Sequence, residues 1–168
     1  MNRLRLFLLG PVMAATVLLV GGCGFQVRGY DLGLPFSAIS VQSNSSVGDE
    51  VRQIIATQSS ILLVNEPAKA QVVVHVMAES LERSVVAFSS AGRPREIQLR
   101  LRVLYRVTDN LAIELSPQQE ITQSRDISVS ESEILAVRSA EDFVVNDMRR
   151  DIAQQIVRRL RAVRLPAS

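Results

Sequence analysis

The chain has 168 residues, 19 of them basic and 17 acidic, with one cysteine, one histidine and no tryptophan. This length suits one ordinary hydrophobic core, and a single cysteine excludes a disulfide within one chain. Aromatic residues make up only 4% of the sequence, so the core must be built from valine, isoleucine and leucine.

The first 22 residues have the layout of a secretory signal. Arg3 and Arg5 precede an uncharged apolar run over residues 6–22 that ends in two glycines, as in a cleavable signal peptide. About 17 residues is also the lower limit for a transmembrane helix, but the glycines and Pro11 disfavour a span. We therefore predict that residues 1–22 are a signal peptide. Its removal leaves 17 basic against 17 acidic residues, which gives no reason to expect nucleic acid as a partner.

The only cysteine, Cys23, follows this apolar run directly. In an exported protein a lone cysteine is lipidated, reactive or paired with another chain. The residues before it, LVGG, resemble the lipobox of bacterial lipoproteins, which implies that the thiol carries a diacylglyceryl group and becomes the first residue after cleavage. Gly24 stands where an aspartate commonly signals retention at the inner membrane, so the resemblance implies the outer membrane. Residues 23–35, rich in glycine, are predicted to form a lipidated tether.

Short elements come next along the chain. Residues 36–43 indicate a short strand, and residues 48–59 have the acidic first turn and apolar spacing of a helix. Residues 61–70 indicate a strand-like fragment and a proline turn. The valine-rich residues 71–88 favour a long strand, which the glycine and proline of residues 89–96 end in a hairpin turn.

The clearest pattern is the alternation of apolar and polar residues over 97–108, which is typical of a strand with one buried face. Three of the polar members are arginines: Arg100, Arg102 and Arg106. We predict that these arginines lie on one face, with alternate residues about 6.5 to 7 Å apart. A second alternation over residues 121–129 predicts another strand after a turn at Pro117.

The last element is predicted to be a helix of about six turns. Ser139 with Asp142 three residues later is a capping pattern, and apolar residues recur beyond it at helical spacing. These apolar positions are Val144, Met148, Ile152, Ile156, Leu160 and Val163. Arginines gather near the C-terminal end, where the helix dipole favours cations, and Pro166 is predicted to end the element.

This order of elements predicts an α/β fold with a single domain over residues 36–168. We expect a two-layer sandwich, in which a four-stranded, mostly antiparallel or mixed sheet carries two helices on one face. Charge is segregated along the chain. Residues 83–106 hold six basic and one acidic residue, whereas residues 109–133 hold six acidic and one basic. Opposite charges are therefore expected to pair across neighbouring strands.

The sequence offers little for catalysis. His75 is the only histidine and lies among valines in the long predicted strand, without a second histidine to share a metal ion. Neither a Gly-x-Ser-x-Gly nucleophile motif nor a glycine-rich phosphate loop occurs. We predict no catalytic residues, no metal and no cofactor, and a role in binding or assembly. A lipid-anchored hydrolase that uses His75 is a competing hypothesis.

Two motifs carry a family resemblance. Residues 23–29, CGFQVRG, have a lipidatable cysteine, glycine, an aromatic residue, a variable position, an aliphatic residue and arginine. Residues 135–160 contain an acidic residue before methionine, then Ala-x-Gln and a basic end. Together the motifs are similar to the LptE-type family of lipopolysaccharide-assembly lipoproteins.

The resemblance implies a lipoprotein without catalytic activity, anchored on the periplasmic side of the outer membrane. Its expected partners are lipopolysaccharide (LPS) and the outer-membrane β-barrel that inserts LPS, which it plugs and helps to assemble. An auxiliary lipoprotein of another cell-envelope lipid-transport system is the alternative.

The resemblance also implies site residues. Basic residues in loops at one end of the sandwich contact LPS phosphates, which points to Arg93 and Arg95 in the hairpin. The family's basic position before the last helix falls on Val137 here, and the adjacent Arg138, expected in a loop, is the candidate. The arginine face described above is the candidate contact with the barrel wall.

Overall fold

The structure, a computed structural model, describes residues 33–129 and 134–165. The predicted signal peptide, Cys23 and Pro166 lie outside these residues and stay predictions. In chain order the described elements are β1 (Ala38–Gln42), α1 (Ser46–Ala56), β2 (Leu62–Leu63), a 3₁₀ turn (Pro67–Lys69), β3 (Val72–Phe88), β4 (Pro94–Thr108), β5 (Glu114–Ser128) and α2 (Ile134–Leu160).

The strands of the described residues form one sheet in the order β2-β1-β3-β4-β5. β1 runs parallel to both β2 and β3, whereas the β3–β4 and β4–β5 pairs are antiparallel. The predicted α/β fold with a mixed sheet and two helices is confirmed, but the sheet has five strands rather than four. The additional strand is β2, an edge strand of two residues, which lies in the predicted strand-like fragment over residues 61–70 and is too short to show periodicity.

The alternation predicted for β4 is confirmed and separates the two faces of the sheet. The odd-numbered residues 97–107 are all buried in the core with the helices. The even-numbered residues 98–106 lie on the other side, where Arg100 and Arg106 are exposed. We call this second side, made of residues 98–106 at even numbers and their cross-strand neighbours, the open face.

Both helices lie on the face opposite to the open face. Glu79, paired with the buried Val103 on that face, accepts hydrogen bonds from Val47 N in α1 and from Arg149 Nε in α2. The helices also share one core with the buried strand residues. The predicted two-layer arrangement, with both helices on one face, is therefore confirmed.

α1 begins two residues earlier than predicted, because its cap is a serine before the acidic turn. Ser45 Oγ accepts a hydrogen bond from Gly48 N at 3.2 Å, which is the usual role of an N-cap serine. A side chain at Gly48 would meet the side chain of Ser43 at 2.3 Å, so this position needs glycine. At the other end the Thr57 N–H bonds to Gln53 O, and the helix stops there, before the predicted end at residue 59.

α2 is longer than predicted, with 27 residues and a length of about 40 Å. It starts at Ile134, so Ser139 lies inside the helix and the predicted cap at Ser139 is wrong. A serine with an acid three residues later also fits an exposed helix interior, and the pattern alone cannot distinguish the two. The predicted apolar stripe is largely confirmed, since Met148, Ile152, Ile156, Leu160 and Val163 are buried.

The predicted turn at Pro117 is also wrong, because β5 runs through it. The turn lies earlier, where the Asp109 carboxylate accepts hydrogen bonds from Leu111 N at 2.9 Å and Ile113 N at 2.8 Å. The register between β4 and β5 shifts between Ser116 and Gln119, so Pro117 lies in a bulge of β5. β5 is an edge strand, and an edge bulge tolerates the missing N–H of proline.

Candidate functional site

The three arginines predicted to share a face do so. Arg100, Arg102 and Arg106 alternate with buried residues of β4 and therefore lie on the open face. Arg100 and Arg106 are exposed, and Arg102 is half-buried between its neighbours. β4 thus presents a row of guanidinium groups on the side without helices.

Acidic and amide groups accompany these arginines. Arg102 Nε lies 3.3 Å from Glu120 Oε1 in β5, which confirms the predicted charge pairing across these strands. Arg100 Nη2 donates to Gln98 Oε1 at 3.2 Å, and Glu82 of β3 lies opposite Arg100 in the register. Because charges are matched locally, the open face is strongly polar without a large excess of one sign.

His75 lies opposite Arg106 at one end of the open face. Its Nε2 is 3.0 Å from Thr108 Oγ1, and that hydroxyl donates its proton to Asp109 O at 3.0 Å. His75 Nε2–H is therefore the donor to Thr108, which leaves no lone pair of Nε2 to activate the hydroxyl. Burial lowers the pKa of His75, and the neighbouring Arg106 charge lowers it further. In this arrangement His75 donates to the Thr108 hydroxyl and does not activate it as a nucleophile.

The β3–β4 hairpin carries Arg93 and Arg95, both exposed. Its turn is closed by a hydrogen bond from Ser89 N to Arg93 O at 2.8 Å, and Gly92 has φ +73°, a conformation that favours glycine. The Arg95 carbonyl accepts Val129 N at 2.8 Å. The end of β5 therefore lies beside the hairpin.

Arg138 lies in α2 and not in a loop as predicted, because the helix starts four residues before it. Its side chain is exposed. α2 runs antiparallel to β3, since Arg149 pairs with Glu79 at 2.7 Å and Glu141 pairs with Arg83 at 3.0 Å. The first turns of α2 therefore lie at the hairpin end of the sandwich.

Arg138 and the hairpin arginines lie at the same end of the sandwich but at different distances along the direction of β3 and α2. From Arg83 to Phe88 the strand advances about 17 Å, whereas from Glu141 back to Arg138 the helix advances about 4.5 Å. The hairpin thus extends roughly 12 Å beyond Arg138. A ligand that contacts all three arginines must span that difference.

One central side chain was missed by the sequence analysis. Glu79 is only 11% exposed, and it joins the sheet to Val47 N at 3.0 Å and to Arg149 at 2.7 Å. It faces the helices because a bulge between Val76 and Ala78 shifts the strand by one residue. Without that bulge the alternation of β3 would place Glu79 on the open face, so sequence periodicity could not reveal its role.

A cavity of about 250 Å³ lies between β5 and the end of α2. Its polar groups bond to one another: Gln119 Oε1 accepts Tyr105 Oη–H at 2.7 Å and Arg159 Nη1 at 2.9 Å. Among the described residues, no group of three His, Cys, Asp or Glu side chains could hold a metal ion. No helix in the same residues is long and apolar enough to cross a membrane.

Comparison with known proteins decides the family. The family model described as LptE, Lipopolysaccharide-assembly, matches residues 36–160, most of the chain. This chain belongs to the LptE family. The match covers the final-helix motif, and the predicted resemblance is confirmed. As a member of the LptE family, the chain is an envelope lipoprotein of lipopolysaccharide assembly, and its family consists of assembly lipoproteins rather than enzymes.

One named relative and one solved structure agree with this family assignment. The chain is 27% identical to the LPS-assembly lipoprotein LptE of Pectobacterium atrosepticum over 167 residues, which cover 94% of this chain and 86% of the relative. It is similar to the solution structure of an uncharacterized lipoprotein B from Nitrosomonas europaea, with a TM-score of 0.71, 29% identity and coverage of 83% and 91% of the two chains.

A second solved structure supports the fold. The rare lipoprotein B from Shewanella oneidensis has a TM-score of 0.65 at 21% identity, over 75% of this chain and 95% of that one. At 21% identity this similarity supports the fold alone. The two-layer sandwich is therefore shared with other bacterial lipoproteins.

Proposed function

We propose that this chain is anchored by lipidated Cys23 to the periplasmic side of the outer membrane. There it fills and helps to assemble the β-barrel that inserts LPS, and it contributes to LPS binding and delivery to the outer leaflet. The observation that carries this proposal is the open face, a polar sheet surface with locally matched charges in a member of the LptE family.

The anchor rests on the lipobox-like residues before Cys23 and on membership of a lipoprotein family. Acyl chains contribute about 0.8 kcal/mol per buried methylene, and stable anchoring needs more than one chain. We expect mass spectrometry of the protein purified from membranes to find an N-terminal acylated cysteine and no residue before it. An intact, unmodified leader contradicts the anchor.

The open face is suited to a polar lumen. The interior of a large outer-membrane barrel is polar, so a partner inside it gains from hydrogen bonds and matched charges rather than from apolar contact. Arg100 and Arg106 lie on the open face of β4 and are exposed. Each guanidinium offers several donors in a planar fork, which suits carboxylates and amides on a barrel wall.

A charge reversal tests the barrel contact. We expect the Arg100→Glu/Arg106→Glu variant of the full chain, affinity-purified from outer membranes, to recover much less barrel than the wild type. The matched control is Arg93→Glu/Arg95→Glu, which reverses two exposed arginines of the hairpin and should recover the barrel normally. Equal recovery by both variants contradicts a role for the open face, and recovery of an inner-membrane transporter instead supports the alternative lipid-transport role.

The hairpin end is proposed to contact LPS. Arg93, Arg95 and Arg138 are exposed at one end of the sandwich, and arginine forms strong paired hydrogen bonds with phosphate. We expect charge reversal of the three arginines to weaken LPS binding, with the hairpin pair having the larger effect because it extends further. The open-face variant should bind LPS normally. Unchanged LPS binding after all three reversals rejects this site.

A further inference from the structure

Residues 78–88, the outer half of β3, have a neighbouring strand on one side only. β1 pairs with β3 as far as His75, whereas β4 pairs with it along its whole length. Residues 78–85 match β4 in eight consecutive positions without a bulge. No strand of the described residues lies on their other side. The outward N–H and C=O groups of residues 78–85, here called the free edge, can therefore pair with another strand.

Leu81 shows the effect of the missing neighbour. Leu81 and Leu101 lie opposite each other on the helix-covered face, yet Leu81 is 46% exposed and Leu101 is 0% exposed. The difference arises because Leu101 has a strand on each side and Leu81 has one. Met77 and Val86, which flank the free edge, are exposed as well. A strand added here would cover these apolar side chains.

The charges of the free edge can also match those of a second copy, in addition to the ion pairs that Glu79 and Arg83 form with Arg149 and Glu141 of α2. In an antiparallel pair, directly opposite residues lie on the same face, so two copies joined in one sheet pair residues of equal parity. A two-fold axis at Leu81 sets Glu79 of each copy against Arg83 of the other and Leu81 against Leu81. An axis at Glu82 sets two carboxylates together, and one at Arg83 sets two guanidinium groups together. Opposite charges face each other only in the first arrangement of these three.

Space for a second strand lies beside the free edge. A groove of about 520 Å³ separates the start of α1 from β3, and Glu79, Leu81 and Arg149 are among its lining residues. With the axis at Leu81, Arg83 of the second copy would lie opposite Glu79, beside this groove. The bulges at both ends of the free edge limit the pairing to this segment.

We propose that the free edge is a self-association surface, on which a second copy of this chain docks antiparallel about a two-fold axis at Leu81. This inference does not rest on the proposed function, because the free edge belongs to the sheet itself, whichever other partner the chain binds. The two-fold axis at Leu81 fixes one register of the two copies, and this register can be tested residue by residue.

Disulfide trapping tests that register. Two opposed Leu81→Cys residues would have Cα atoms within the 4.4 to 6.8 Å that a disulfide requires, whereas two Ser84→Cys residues would be roughly 20 Å apart along the strands. We expect oxidation of membranes to trap a dimer of the full-length Leu81→Cys chain, but not of Ser84→Cys or of the wild type. A mixture of Ala78→Cys and Ser84→Cys chains should give the mixed dimer. Equal trapping at Leu81 and Ser84 overturns the register.

Sedimentation of the detergent-solubilised full chain tests the association itself. We expect a concentration-dependent dimer for the wild type and a dissociation constant raised about tenfold or more by Leu81→Lys, which opposes two like charges at the axis. The matched control Leu111→Lys alters an exposed leucine in the β4–β5 turn and should dimerise like the wild type. Circular dichroism must show both variants folded. A monomeric wild type overturns the proposal, as does Leu81→Cys trapping only a different protein.

Discussion

The two halves of β3 both contain valines, but their surroundings differ. Residues 72–76 lie between β1 and β4, and four of these five residues are buried. Residues 78–88 pair with β4 alone, and Leu81, Val86 and Phe88 are largely exposed there. Both halves contain valine, yet the valines of residues 72–76 are buried whereas Val86 is 48% exposed, so residue type alone does not explain the difference. In β3 the burial of valine follows the number of neighbouring strands.

The largest effect is expected from truncating the two leucines that face each other across the β3–β4 pair. Leu101→Ala removes a fully buried side chain, which should lower the free energy of unfolding by about 2–5 kcal/mol. Leu81→Ala removes the same atoms from the half-exposed side and should cost about 1 kcal/mol or less. Urea denaturation of the full chain measures both values. Equal losses would mean that the two halves of β3 are packed alike.

A smaller effect is expected at Glu79, where the two halves of β3 meet. Glu79→Ala leaves Val47 N and the half-buried Arg149 without their acceptor, which should lower the free energy of unfolding by about 1–3 kcal/mol. Glu79→Gln keeps an acceptor and should cost less. Glu82→Ala, an exposed carboxylate on the open face, is the control and should change stability by about 0–1 kcal/mol. If Glu79 and Glu82 behave alike, Glu79 does not join the helices to the sheet.

The smallest effect concerns His75, in the buried half of β3. Its pKa lies below the ordinary value of 6.5, so the unfolded chain binds the proton more readily than the folded chain. Stability at neutral pH should therefore be lost as the pH falls below about 6.5. We expect His75→Gln to show a shallower decline than the wild type in thermal melting between about pH 7.5 and pH 5. Parallel declines would mean that His75 is not desolvated.

Much of this fold could be predicted because β4 and α2 have strong periodicity. The alternation over residues 97–108 placed Arg100, Arg102 and Arg106 on one face, as observed. The apolar stripe of α2 identified most of its buried positions. Such long patterns average over many residues, so one atypical residue does not obscure them.

The features that sequence missed depend on single positions or on distant neighbours. The fragment over residues 61–70 forms a fifth strand of only two residues, Pro117 occupies an edge bulge, and the capping pattern at Ser139 lies inside a longer helix. The role of Glu79 requires a bulge that reverses the strand's parity. Arg138 was expected in a loop because the start of α2 was placed too late. In each case the deciding information is tertiary, and periodicity in one segment does not contain it.

The most direct test of the proposed function is to deplete this chain in living cells and measure the amount of correctly folded LPS-inserting barrel in the outer membrane. We expect folded barrel to fall and LPS in the outer leaflet to fall with it, and wild-type protein to restore both. Restoration should fail with Arg100→Glu/Arg106→Glu. A normal amount of folded barrel in depleted cells would contradict the proposal that this lipoprotein helps to assemble it.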